Sequence, residues 1–234
     1  MVQELREKKL LGLVPIHNYE EGVIRLLKFV ESNYPKLLRE ENFRIILINS
    51  HSNPRCVSVL NRLTSSYPWL SLVHSTVKGS LKDALWTGWK SRDKEFIPDV
   101  VHIMETDAVP NYSTFLSMLS LFFEEKDKQL ASVTPMYKWQ GSYCYPTHSH
   151  WHTDKIYKRH PKFGPISDVG GCGVPFLYSL WKPNLMEYIN KGDFKTLIHL
   201  DRDFGNHVHK LGYKHLRMKN YSVDHHGGGR KSRR

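Results

Sequence analysis

The 234-residue sequence has only three cysteines, and Cys56, Cys144 and Cys172 are too scattered to form a C-x-x-C pair. An odd, dispersed set argues against a disulfide scaffold or a cysteine-built zinc site and fits free thiols in a reducing compartment. No uninterrupted apolar run approaches the roughly 20 residues that span a bilayer, and the charged stretch Met1–Lys9 is unlike a signal segment. A cytoplasmic protein without a transmembrane segment is expected. Internal repeats are absent too, which argues against solenoids and propellers. Acidic residues are in deficit, 23 against 34 Lys and Arg, giving a formal charge of +11. That balance favours nucleotide phosphates and polyanions such as nucleic acid or acidic glycans as partners, although part of the excess sits in the last few residues.

What is present reads as an alternation of strands and helices. Leu10–Ile16 is an apolar run suited to a buried strand. Val23, Ile24, Leu27 and Val30 recur at helical spacing after Glu20, and this helix is expected to stop before Pro35. Phe43–Ile48 predicts a second strand closed by a polar turn over 49–54. A helix over Val57–Leu63, a strand over Leu70–His74, a helix over Leu81–Lys90 and a strand over Val100–Met104 follow. Asn111 or Ser113 caps the next helix, which runs through Phe123, and Leu130–Thr134 returns as a strand. Strands separated by helices imply right-handed crossovers and a mainly parallel sheet flanked by helices, with ligands at the carboxyl ends of the strands. Beyond Pro135 the pattern changes. Tyr137–Phe163 mixes aromatics, His and cations without periodicity and reads as a long functional loop. Residues 170–178 read as a glycine hinge entering a strand, and Leu200–Leu211 as a helix stopped by Gly212.

Several short segments carry chemistry. Glu105-Thr106-Asp107 puts two carboxylates at a strand end, where they suit a divalent cation and its phosphates. Asp201 and Asp203 open an amphipathic helix, whose dipole keeps carboxylates ionised and able to take a proton from a hydroxyl. His148, His150 and His152 alternate in a way that fits either a zinc site or a polar loop. Asp224-His225-His226 is a second histidine cluster, and Trp139 and Trp151 lie in the aromatic-basic stretch, whose rings suit stacking on sugars or bases.

In order, these segments resemble the GT-A glycosyltransferases, and among them the inverting family 2. Val14-Pro15-Ile16-His17-Asn18 with Glu20 is similar to that family's opening strand beside the nucleoside. Asn49 stands where the family commonly has an acidic residue reading uracil. Lys78 and Gly79, with Ala84 and Gly88, resemble its helix beside the donor, and Glu105-Thr106-Asp107 its D-x-D element, including the downstream Pro110. Gly171 and Gly173 fall in an acceptor-side glycine segment, and Asp201, Asp203, Gly212 and Tyr213 in its catalytic helix.

The resemblance implies a Rossmann-like α/β domain over 1–226, with a nucleotide-sugar part (10–135), an acceptor and catalytic part (136–226) and a flexible basic tail (227–234). It implies a nucleotide-sugar donor, expected to be a UDP-sugar, held by Pro15, Asn18, Glu20, Asn49, Lys78, Gly79, Glu105 and Asp107. It also implies Mn2+ or Mg2+ on Asp107 and Glu105, completed by His225 or His226. Asp201 inherits the general-base position with Asp203 in reserve, and Trp139, Trp151, Gly171 and Gly173 face an acceptor, a glycan or a polyanion such as a hydroxylated DNA base. Rival expectations are a sugar-nucleotide nucleotidyltransferase and a non-catalytic binding module on the same fold. The first would carry a glycine-rich signature loop after its first strand, and Val14–Glu21 has none.

Overall fold

The computed structural model describes residues 2–78, 80–139, 142–144, 155–168, 178–191 and 200–225. A single helical turn, α1 (Val2–Leu5), leads into β1 (Leu10–Ile16), α2 (Glu20–Leu37), β2 (Phe43–Asn49), α3 (Pro54–Thr64), β3 (Leu70–His74), α4 (Leu81–Ser91) and β4 (Val100–Ile103). Next come β5 (Ala108–Pro110), α5 (Tyr112–Glu124), β6 (Leu130–Trp139), β7 (Ser142–Cys144), β8 (Lys155–His160) and β9 (Gly164–Asp168). The described chain ends with β10 (Ser179–Trp181), α6 (Tyr188–Lys191), α7 (Leu200–Lys210) and β11 (Lys214–His225).

One sheet runs β3-β2-β1-β4-β10-β6-β11-β9-β8. Its first four strands are parallel throughout, as the strand–helix alternation predicts. Beyond β4 the antiparallel β10 intervenes, and β11 then joins β6 in parallel. Helices cover both faces. Leu10, Val14 and Ile16 of β1 point into a core shared with α2, α3 and α5. Leu11 and Leu13 point into the opposite core, shared with α4, α6 and α7. The two-residue alternation of a strand buried on both faces thus divides β1 between two cores. No described helix is long and apolar enough to cross a membrane.

Three expectations need correction. Helix α2 does not stop before Pro35 but continues through it to Leu37. Tyr34 and Leu37, both fully buried, hold that last turn against the core, so packing outweighs the local cost of proline. Tyr137–Phe163 is not simply a loop: β6 reaches Trp139, β7 pairs with β6, and β8 forms a hairpin with β9. Cations hide the strand character of β8, which lies at the end of the sheet, where Lys158 pairs with Glu125, the residue that ends α5; lysine is a common guard on an exposed edge. Finally β11, a twelve-residue strand, has no place in the sequence pattern. Its residues 215–218 are buried on both faces, and His215 and Arg217 disguise that burial.

Candidate donor and metal site

The turns after β1, β2 and β3 meet in a rim braced by neutral polar groups. Asn18 and His51 adopt left-handed backbone (φ 51° and 56°), which is strained for residues other than glycine. Side chains hold these turns in place. The Asn18 backbone N–H donates to Ser52 Oγ at 3.0 Å, and Asn53 N donates to Asn18 Oδ1 at 2.7 Å. His17 Nδ1 donates to the Ser50 carbonyl at 2.8 Å, which leaves its Nε2 to accept from Asn18 Nδ2 at 3.2 Å. Asn49, only 4% exposed, accepts from Ser52 N at 3.0 Å through Oδ1 and bonds His74 Nδ1 at 2.9 Å through Nδ2. Under the rim lies Cys56, whose thiol is pushed up by burial, with the Ser52 hydroxyl opposing that shift. Glu20 faces Arg55 at 3.5 Å, joining the first turns of α2 and α3. Of these bracing groups, His74 lies in no sequence motif; the only sequence signal is that it is a polar residue at a strand end.

The acidic segment follows β4 at the same end of the sheet. Glu105 and Asp107 are half-buried and Thr106 is 8% exposed. The segment packs directly on the β1–α2 turn. A Cβ added at Gly22 would lie 2.6 Å from the Thr106 carbonyl and 2.3 Å from the Tyr19 ring, so only glycine allows this approach. Immediately after it, β5 pairs with the end of β11, placing His225 opposite Ala108 and Asp224 opposite Val109. On its other side His225 is in register with Trp139 of β6, so Ala108, His225 and Trp139 form one row across three strands. The backbone therefore brings three of the sequence-predicted positions, Asp107, His225 and Trp139, into one neighbourhood.

Among the described residues no three His, Cys, Asp or Glu side chains converge as a ready cation site. The described donors are the oxygens of Glu105 and Asp107, with the His225 backbone beside them. Hard oxygen donors with an adjacent imidazole position suit Mn2+ or Mg2+, so these residues fit the implied ion.

Pro15, Asn18, Glu20, Asn49, Lys78, Glu105 and Asp107 all lie at or just beyond the carboxyl ends of β1 to β4, with Lys78 exposed in the turn before α4. Ser80 caps α4 by accepting from Asp83 N at 3.1 Å. Asp201 and Asp203 lie in the first turn of α7. That helix is anchored by Phe204, against Trp181 at 5.1 Å, and by His215, whose Nε2 donates to the Gly205 carbonyl at 3.3 Å. His215 Nδ1 in turn accepts from Ser132 Oγ at 2.9 Å, and burial pushes its pKa down to about 3. His102 of β4 is likewise pushed to about 3 by burial. Its Nδ1 lies 2.8 Å from Tyr34 Oη while its Nε2 has no partner. The economical tautomer puts the proton on Nδ1, with the Tyr34 hydroxyl then donating to Met104 Sδ at 3.4 Å. Gly79, Trp151, Gly171, Gly173, His226 and the histidines at 148, 150 and 152 lie outside the described residues.

The model of the family described as Glycosyl transferase family 2 matches residues 13–182. The chain belongs to that family. The match takes in the second half of β1, the rim, the acidic segment and β10, and it ends before α7 and β11. No curated protein matches the chain in sequence. Among solved structures, a mannosyltransferase from Pyrobaculum calidifontis in complex with GDP-Man and Mn2+ is similar, with a TM-score of 0.68 and 16% identity, covering 95% of this chain and 58% of its own. TarS from S. aureus, in complex with UDP-GlcNAc, gives a TM-score of 0.63 and 12% identity over 97% of this chain and 61% of its own. GalNAc-T7 with UDP, GalNAc and Mn2+ gives 0.65 and 10% over 93% and 44%. At such identities the likeness establishes the GT-A fold, and it extends over more of the chain than the family match does. The chain spans about three-fifths or less of the length of these structures.

Proposed function

We propose that this chain transfers a hexose from a nucleoside-diphosphate sugar, a UDP-sugar in the first instance, to an acceptor hydroxyl with inversion. The observation that carries this reading is the pairing of β5 with β11, which sets His225 beside the Glu105–Asp107 segment at the carboxyl end of β4. Glu105 and Asp107 hold Mn2+ or Mg2+, with His225 or His226 as a nitrogen ligand. When bound, such an ion offsets the charge of the departing diphosphate. Pro15, Asn18, Glu20 and Asn49 border the nucleoside, and Lys78 and Gly79 approach the phosphates.

Asp201 takes the proton of the acceptor hydroxyl as its oxygen attacks the anomeric carbon and the bond to the diphosphate oxygen breaks. Asp203 is the reserve base. Trp139, Trp151, Gly171 and Gly173 border the acceptor. A glycan is the first acceptor to test; the formal charge of +11 makes a hydroxylated base in DNA the second. A cytoplasmic setting belongs to the same reading, supported by the scattered cysteines.

The family match and the nucleotide-sugar complexes of the similar structures support this assignment. Its test is a donor-hydrolysis and transfer assay with Mn2+, with the product's anomeric configuration read by NMR. Asp201→Asn should lower kcat about 10^3-fold while donor affinity stays within about twofold. Retention of the donor's configuration would overturn the inverting mechanism, and absence of metal-dependent turnover would overturn the transferase reading.

A further inference from the structure

The Asn49 amide is engaged within the rim at both ends, through one N–H of Nδ2 and one acceptor position of Oδ1. The backbone N–H of Ser52 fixes Oδ1 as the acceptor at 3.0 Å, so Nδ2 is the atom that donates to His74 Nδ1 at 2.9 Å. The two residues are direct partners in the parallel pairing of β2 and β3, and the Asn49 carbonyl also accepts from Ser75 N at 2.9 Å. An Nδ1 that accepts leaves the neutral imidazole proton on Nε2. His74 is exposed at the carboxyl end of β3 and makes no other hydrogen bond among the described residues.

We propose that His74 is the base-reading residue of the donor site, offering Nε2–H to a carbonyl oxygen of the nucleobase, with Asn49 acting behind it to fix the tautomer. This rests on the donor reading above and deepens it. A fixed N–H donates to O4 of uracil or O6 of guanine, and in the same place meets a second donor in the N4 amino group of cytosine or the N6 amino group of adenine. The preferred ligands are therefore nucleoside diphosphates whose base carries a carbonyl at that edge, and guanine belongs with uracil in this class. An unmatched polar pair discriminates more strongly than a lost contact, because both donors are left desolvated without an acceptor.

The experiment titrates UDP, GDP, CDP and ADP with Mn2+ by calorimetry into the wild type, His74→Asn and His74→Gln, with the Tm of each recorded. An asparagine amide reproduces the Nδ1 position and keeps the bond to Asn49, whereas glutamine carries an N–H near the Nε2 position. Wild type should bind UDP and GDP about tenfold more tightly than CDP and ADP. H74Q should keep that preference and H74N should lose it. A preference that survives in H74N, or is lost in H74Q, assigns the ring to bracing the rim and overturns the proposal. Equal binding of all four by the wild type overturns it as well. Binding of none of them defeats the donor-site reading itself.

Discussion

The two ends of the candidate cleft are made of opposite materials. At the carboxyl ends of β1, β2 and β3 the bracing groups are mostly amides, hydroxyls and imidazoles that bond one another and the backbone, with the single ion pair of Glu20 and Arg55 beside them. At the end of β4 the chain sets Glu105 and Asp107 next to the strand end carrying Asp224 and His225. A base stacked against amides and hydroxyls that are already partnered meets little desolvation cost. Carboxylates repel a diphosphate, so the acidic end becomes useful only with a cation between them. In the proposed reading the end that faces the base is complete in the protein alone, while the end that faces the phosphates depends on a visitor.

The largest effect should come from breaking the charged end. Asp107→Ala should lower metal-dependent turnover about 10^4-fold and leave nucleotide affinity in EDTA within about twofold, as measured by kinetics and calorimetry. An equal loss of affinity in EDTA would show that the two ends do not work separately. Next in size is the neutral end. Asn49→Ala strips partners from Ser52 N and His74 and should weaken nucleotide binding about tenfold. Mn2+ affinity, read by electron paramagnetic resonance, should not change.

The third effect is absent at neutral pH. β4 and β11, whose ends bound the charged region, each contain a buried histidine lowered from 6.5 to about 3. Between those values the unfolded chain binds the extra protons. The stability contributed by the neutral rings is therefore complete above pH 6.5 and falls as pH drops toward 3, by roughly 1.4 kcal/mol per unit per histidine. Urea melts of His102→Asn, which keeps a polar group opposite Tyr34, should show a shallower loss than wild type over that range.

Much of the neutral end was legible in the sequence because it depends on local signals. Apolar runs marked β1, β2 and β4, and helical spacing marked α2; of the two candidate caps of α5, Asn111 and Ser113, the structure selects Asn111, which accepts from Thr114 N at 2.8 Å. The acidic pair was legible from its place at a strand end. What escaped is non-local. His74 acquires a role only because β3 lies in register with β2, and no spacing along the chain encodes that partner. Strand β11 was hidden because its alternate residues face two cores, so polar His215 and Arg217 interrupt the apolar pattern. The hairpin of β8 and β9 was hidden by the cations that pair with Glu124 and Glu125.

The irregularity in β11 between Met218 and Ser222 has a further consequence. Upstream of it the strand lies between β6 and β9, and downstream between β6 and β5. The slack residues 219–221 act as a vernier between an anchored scale and a sliding one. Removing one of them would advance the tail by a single position, bringing His226 opposite Ala108 and turning every following side chain to the other face. The length of a short bulge thus sets which position of the chain lies in register with Ala108, next to the acidic segment.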